Sequence, residues 1–264
     1  MELAYIGQAF HGWQSQTDKS GIQDHLESAL RTVLRDSVRV TSASRTDSGV
    51  NAERQVCSFK SSEKIDENRV LKSLNSLLHQ DISVIALRHM AIPFHPIRDS
   101  TGKVYRYMIW NGVATPPFIK PYVWRVPWLL DLSIMRHEMN SLVGTHDFTS
   151  MCATDSNAKT MVRKIFDVRI ESRGPLIEIW IAGEGFLKQM VRNIVGTLVD
   201  ISRGKISRSM LEILEDRTRT SGGVTAPGRG LFLVEVFYGN EIKIAEQRAR
   251  ARNGFCFSIT TGDL

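Results

Sequence analysis

The chain of 264 residues has only three cysteines, Cys57, Cys152 and Cys256, odd in number and far apart. That usage argues against a disulfide framework or a thiolate zinc site and fits reduced thiols in a cytoplasmic protein. No apolar run approaches the ~20 residues that a membrane helix needs. The opening stretch MELAYIGQAF carries Glu2 in place of a basic n-region and lacks a long apolar segment, so a secretory signal is not expected. Missing as well are HExxH, a Walker loop, and GxGxxG following a strand, which removes the usual sequence signatures of zinc hydrolysis, nucleotide hydrolysis and dinucleotide redox chemistry. The seven histidines are scattered and read as surface or structural residues.

What the chain does have is an uneven positive charge. Lysine and arginine outnumber aspartate and glutamate by 34 to 28. Residues 159–264 hold 17 basic and 12 acidic residues, against 17 and 16 before them, so five of the six excess charges lie in the last two-fifths. A basic balance of this kind favours a polyanionic partner.

Hydrophobic periodicity orders the elements. Residues 2–6 read as a strand, and Ile22, Leu26, Ala29, Leu30, Val33 and Leu34 as a helix. Residues 38–41 and 55–59 read as strands around the loop Ser44 to Ala52. Val70, Leu71, Leu74, Leu77 and Leu78 mark a second helix, and residues 82–87 a further strand. The order β-α-β-β-α-β is that of a split βαβ unit. It then recurs: a strand at 104–110, a helix at 134–143, a hairpin of 165–171 with 176–182, a long helix at 186–201, a short helix at 209–215 and a strand at 231–237. The expected fold is therefore α+β, with two split-βαβ-like subdomains sharing an extended mixed or antiparallel sheet, helices on one side and a cleft between. The first subdomain spans 1–98, the second 99–240, and a polar tail of unassigned role covers 241–264.

Three clusters carry candidate chemistry. Arg45-Thr46-Asp47-Ser48-Gly49-Val50 presents one carboxylate among small residues, a pattern that also suits a simple side-chain-capped turn. On the strand Lys103-Val104-Tyr105-Arg106-Tyr107, alternation puts Lys103, Tyr105 and Tyr107 on one face. A basic and aromatic ladder suits unpaired bases, whose rings stack while cations track phosphates. In the apolar helix around Met190, Arg192 asks for a carboxylate partner, since arginine is rarely fully buried unpaired, and Asp47 is a candidate.

With Tyr5…Phe10-His11-Gly12-Trp13-Gln14, His146-Asp147-Phe148-Thr149-Ser150, Met190-Val191-Arg192-Asn193-Ile194-Val195-Gly196 and Ala226-Pro227…Gly230-Leu231-Phe232-Leu233, these clusters form an ordered series from residue 5 to about residue 238. The series resembles that of the TruA-type pseudouridine synthases. The resemblance implies a homodimer, tRNA as partner and substrate, and isomerisation of uridine at tRNA positions 38 to 40 without metal or cofactor. It puts the catalytic aspartate at Asp47, the base-stacking tyrosine at Tyr105 and the paired arginine at Arg192. Substrate contacts are expected from Arg45, Lys103, Tyr105 and Leu233. The chain departs from the pattern at Ser44, Asn51 and Ile97, where glycine, histidine and arginine are common. Arg98 follows Ile97 and in an extended segment would face the opposite side.

Burial under a base would raise the Asp47 pKa and a contacting guanidinium would lower it, so Arg192 is expected to keep Asp47 anionic. Two other classes compete. A non-catalytic RNA-binding module would explain the tyrosine ladder and the charge, but a carboxylate among phosphates serves it poorly. A nucleoside glycosidase would need a second carboxylate beside Asp47, with Asp99, Asp147 and Glu184 as candidates.

Overall fold

A computed structural model describes residues 1–90 and 93–239. The polar tail assigned to 241–264, with Cys256, lies outside them. Helix starts follow local capping chemistry. The Asp24 carboxylate accepts the Gly21 N–H at the head of α1 (Ile22–Leu34). Asp66 caps α2 (Glu67–Leu77) through the Arg69 N–H at 3.0 Å. Asp131 caps α3 (Leu132–Asn140) through Ser133 and Ile134, and Ser209 with Glu212 forms a capping box on α5 (Met210–Glu215).

The strands are β1 (Glu2–Tyr5), β2 (Thr41–Ser42), β3 (Asn51–Ser58), β4 (Ile82–Ala86), β5 (Gly102–Trp110), β6 (Trp124–Arg125), β7 (Gly144–Asp147), β8 (Val162–Arg173), β9 (Leu176–Gly183) and β10 (Leu231–Phe237). They form one sheet in the order β4-β1-β3-β10-β5-β9-β8-β7, with β2 on β3 and β6 on β5. Within it β4-β1-β3-β2 and β10-β5-β9-β8 are the same arrangement twice, the repeat expected from the order of elements. All described pairings are antiparallel except β10 with β3 and β6 with β5.

The join between the two repeats determines where a site can form. β2 stays paired to β3 only at Thr41–Ser58 and Ser42–Cys57. Past Ala43, whose N–H still donates to the Val56 carbonyl at 2.8 Å, the hairpin splays, and the vacated edge of β3 is taken by β10, through Phe232–Asn51 and Leu233–Ala52. The connection that has to bypass β10 is the Asp47 loop. Sequence periodicity had begun the third strand at residue 55; it begins at Asn51, because pairing with β10 extends it. The second strand is correspondingly displaced, with Val38 and Val40 buried in the core but outside the ladder.

The four longer helices pack on one face. Ile22, Leu26, Val70, Leu74, Met135, Met139, Met190 and Leu198 join Leu3, Tyr5, Tyr105, Tyr107 and Ile109 in a single core. On the opposite face a small strand-only cluster holds Val104, Trp180, Ala182 and Val234. There Arg106 lies over the rings of Trp180 and Phe232, and pairs with Glu53 at 2.5 Å and Glu178 at 3.6 Å.

The helix expected at 186–201 starts later, as α4 (Met190–Ser202). Gln189 at φ +60° breaks the regular geometry just ahead of it and leaves residues 186–188 outside the helix. Its length is almost wholly buried. Gly196 lets the segment 222–226 cross closely: a Cβ there would lie 1.6 Å from the Val224 carbonyl oxygen. Backbone cannot yield as a side chain can. Gly196→Ala is therefore expected to cost roughly 2–4 kcal/mol, read as a lowered midpoint in thermal and urea unfolding; an unshifted midpoint would contradict this packing.

Candidate active site

The Asp47 loop is gripped from both repeats. From the first, the Trp13 N–H donates to the Thr46 carbonyl at 3.0 Å, and the Tyr5 hydroxyl meets Thr46 Oγ1 at 2.8 Å. Gly12, at φ +90°, makes room for this contact, since a Cβ would lie 2.8 Å from the same Thr46 oxygen. Ser48 Oγ donates to the Phe10 carbonyl. The segment from Tyr5 to Gln14 thus serves as scaffold for the loop. From the second repeat comes the turn 227–230. A Cβ on Gly228 would sit 2.4 Å from the Ser48 carbonyl oxygen, so the two loops interlock at backbone distance.

Asn51 ties both sides together. Its Oδ1 accepts the Gly7 N–H at 2.9 Å, and its Nδ2 donates to the Arg229 carbonyl at 2.8 Å. A side chain 1% exposed thereby satisfies backbone groups from two loop segments, one in each repeat.

Arg192, from the first turn of α4, reaches across the junction. Its Nη1 lies 3.0 Å from Asp47 Oδ2, and its Nε donates to the Ala226 carbonyl at 2.7 Å. Both side chains are only partly shielded, Asp47 being 20% and Arg192 15% exposed. Tyr105 stands beside them on β5. Its hydroxyl is 2.7 Å from Ser44 Oγ, and its ring meets Phe186 edge-on at 5.0 Å. Burial pushes the phenol up to about 12; the Ser44 hydrogen bond opposes this and the Asp47 charge adds to it. At rest it is a neutral phenol.

The remaining expected residues separate into inside and outside. Tyr107 shares the face of Tyr105, as alternation required, but is fully buried with its hydroxyl on the Pro227 carbonyl. The face that carries Tyr105 and Tyr107 is covered by helices, with Tyr105 6% and Tyr107 0% exposed, so the two tyrosines form no open aromatic platform there. Leu233 is 0% exposed, paired opposite Tyr105 and Ala52, so it lies in the floor and presents no surface. Arg45 is exposed and makes no hydrogen bond or ion pair among the described residues. Lys103 is half-buried opposite Gly183 on β9.

Ile97 and Arg98 are both exposed on a turn whose N–H groups face His95 Nδ1. The alternation expected of an extended segment does not apply there. The carboxylates that a glycosidase would recruit are engaged elsewhere: Asp147 with Arg217 and Thr149, Glu184 with the Lys164 N–H, Asp99 with the His95 N–H. No group of three or more potential metal ligands occurs among the described residues, and no described helix is long and apolar enough to cross a membrane.

Gln55, Phe186 and the scaffolding role of Tyr5 and Trp13 escaped the sequence reading. Gln55 is one of several polar residues on β3, so its residue type alone does not single it out. A bulge in the β1–β3 register, between Leu3–Gln55 and Tyr5–Ala52, breaks the alternation that would place it inward.

The Asp47 loop and the arginine of α4 thus meet across two fused split-βαβ repeats, and comparison with known proteins identifies the family. A family model described as tRNA pseudouridine synthase matches residues 139–239, a span that includes Arg192 but not Asp47. Proteins named tRNA pseudouridine synthase A align over nearly the whole chain. That of Acetivibrio thermocellus is 38% identical over 237 residues, covering 89% of this chain and 97% of that one. That of Bacillus licheniformis is 39% identical over 241 residues, with 90% and 98% covered. That of Aquifex aeolicus is 36% identical over 238 residues, with 89% and 97% covered. Among solved structures, a Cbf5-Nop10-Gar1 complex matches with a TM-score of 0.39 at 9% identity, covering 89% of this chain and 48% of that one. The chain belongs to the tRNA pseudouridine synthase A family and is an isomerase.

Lys103 gives the protein a measurable pH signature. Burial, helped by the nearby Arg163 charge, lowers its pKa from 10.5 to about 8. Between these values the unfolded chain holds a proton that the native one has released, so stability from this group rises with pH. Wild type should therefore gain stability relative to Lys103→Met as pH climbs from about 8 toward 10.5. Parallel urea-midpoint profiles for the two proteins would refute the burial of this amine.

Proposed function

We propose that the protein converts uridine to pseudouridine in the anticodon stem-loop of tRNA, at positions 38 to 40, with Asp47 as the essential carboxylate. The observation that carries this reading is the Asp47–Arg192 ion pair, set beside Tyr105 at the junction of the two repeats. The reaction breaks the C1′–N1 bond, turns the uracil and joins C5 to C1′; the C5 proton leaves and N1 gains one. Nothing is oxidised. Asp47 acts at the reacting nucleotide, as nucleophile toward sugar or base or by assisting a glycal-type intermediate. Each route needs an ionised carboxylate that is rigidly aimed, and the ion pair with the double grip on the loop supports that aim.

The target base has to leave its stack, at a cost of a few kcal/mol. Tyr105 packs on the extruded base and recovers part of that cost. Its resting state as a neutral phenol, with a pKa raised to about 12, favours stacking and hydrogen bonding over proton removal. Arg45, exposed on the loop, and Lys103 engage the RNA backbone. The basic excess of the chain supports an RNA partner. The working form is a cytoplasmic homodimer whose two subunits both touch the tRNA, as the family resemblance implies; the two described cysteines are free and buried.

The decisive measurement is tritium release from C5-labelled uridine in unmodified tRNA. Wild type should release label while Asp47→Ala releases none and still binds tRNA. Equal release by both would remove Asp47 from the centre of the reaction; tight binding without release by either would restore the RNA-binding reading. Arg192→Ala should slow release by about a hundredfold or more, since a group acting on the reacting centre is misaimed. Because Arg192 also holds Ala226, the same variant is expected to lose roughly 1–2 kcal/mol of stability. Unchanged turnover would sink the proposed role of the pair.

A further inference from the structure

Ser44 lies three residues before Asp47 and touches neither it nor Arg192 through any described hydrogen bond, yet its surroundings are unusually constrained. Its hydroxyl is 2.7 Å from the Tyr105 hydroxyl. Its backbone is clamped on both sides by one carboxamide: the Ser44 N–H donates to Gln55 Oε1 at 3.2 Å, and Gln55 Nε2 donates to the Ser44 carbonyl at 2.7 Å. Ser42 Oγ donates to that carbonyl as well, at 3.0 Å. Gln55 is 0% exposed, and its Nε2 also reaches the Tyr5 hydroxyl at 3.2 Å, which in turn meets Thr46 Oγ1. One buried network therefore fixes residues 44 and 46, on the approach to Asp47, and extends to the phenol of Tyr105.

The ring of Tyr105 has two supports. Phe186 meets it edge-on at 5.0 Å, which resists sideways displacement, and the Ser44 hydroxyl holds its polar end. Gly183 leaves room beside Phe186: a Cβ there would lie 2.9 Å from the Lys164 carbonyl oxygen and 3.2 Å from the Phe186 ring. A tyrosine held only by ring packing can still slide along its long axis; a hydrogen bond at the phenol stops that motion.

We propose that Ser44 is a positioning residue for the isomerisation, its hydroxyl setting where the Tyr105 ring lies against the reacting uracil. The inference rests on the reading of Tyr105 as the residue that contacts the base. Ser44 does no chemistry itself. It transmits the rigidity of the Gln55 network to Tyr105, so that the aspartate loop and the stacking ring move as one unit.

The test is single-turnover tritium release with C5-labelled tRNA, alongside tRNA affinity and thermal melting. Loss of one hydrogen bond that acts in the reacting complex should slow Ser44→Ala by about tenfold, with affinity and melting temperature near wild type. Ser44→Thr, which restores a hydroxyl, should recover most of the rate. In a Tyr105→Phe background, Ser44→Ala should cause no further loss, because the partner atom is already gone. The inference is overturned if Ser44→Ala turns over at the wild-type rate while Tyr105→Leu is slow. It is overturned equally by the same loss in both backgrounds, or by a loss that follows the melting temperature and is not recovered by threonine. A Tyr105→Leu enzyme running at the wild-type rate would instead remove the reading of Tyr105 on which the inference stands.

Discussion

The structure depends on one unusual pairing. A hairpin that stayed zipped from end to end would have left the first repeat with a closed edge and nowhere for the second to attach. Because β2 leaves β3 after two residue pairs, two residues of β10 lie parallel to the freed edge and fuse two sheets into one. Parallel pairing over so short a length contributes little by itself. It is reinforced by the Asn51 amide, the glycine-permitted contact of the turn 227–230 with Ser48, and the reach of Arg192 to Asp47. Each of these joins residues about 145–180 positions apart in the chain. Asp47 sits at this join, held by the same contacts that fuse the two repeats.

This arrangement explains why an aspartate loop can be stiff while remaining partly open to solvent. Its backbone hydrogen bonds go to Trp13 and to its own turn, its small side chains to Phe10 and Tyr5, and its carboxylate to a guanidinium that is itself anchored on Ala226. Little is left to reorganise when a substrate arrives. Preorganisation of this sort lets a fixed charge act with little reorganisation cost.

Much of this was legible beforehand, for identifiable reasons. The 3.6-residue period of α1 and the alternation of β5 are strong signals, and they carried the repeat of the split βαβ order. Arg192 stood out because a guanidinium in an apolar helix demands an explanation. Other features had no local signature. The start of β3 is set by β10, far along the chain, and the start of α4 by a left-handed Gln189 that no propensity marks. Tyr107 and Leu233 share the periodicity of site residues, yet depth within the sheet, which periodicity does not encode, puts both out of reach of a ligand. Gln55 was hidden by a bulge.

The position of β10 has a temporal consequence. It is the last described strand to leave the ribosome and one of the most central in the sheet, flanked by β3 and β5. Until residues 231–237 emerge, both neighbouring strands keep open edges on the sides that β10 will fill, and each repeat is a separate, unfinished surface. From the completion of β5 until β10 arrives, the nascent chain thus carries two open strand edges available for wrong partners, a hazard for any fold of high contact order. It also passes that time without a finished centre, since Ala226 and the turn beside Ser48 arrive with the same segment. Translation itself orders the events: the Asp47 loop is made early, and the residues that grip it from the second repeat come only with the last described segment.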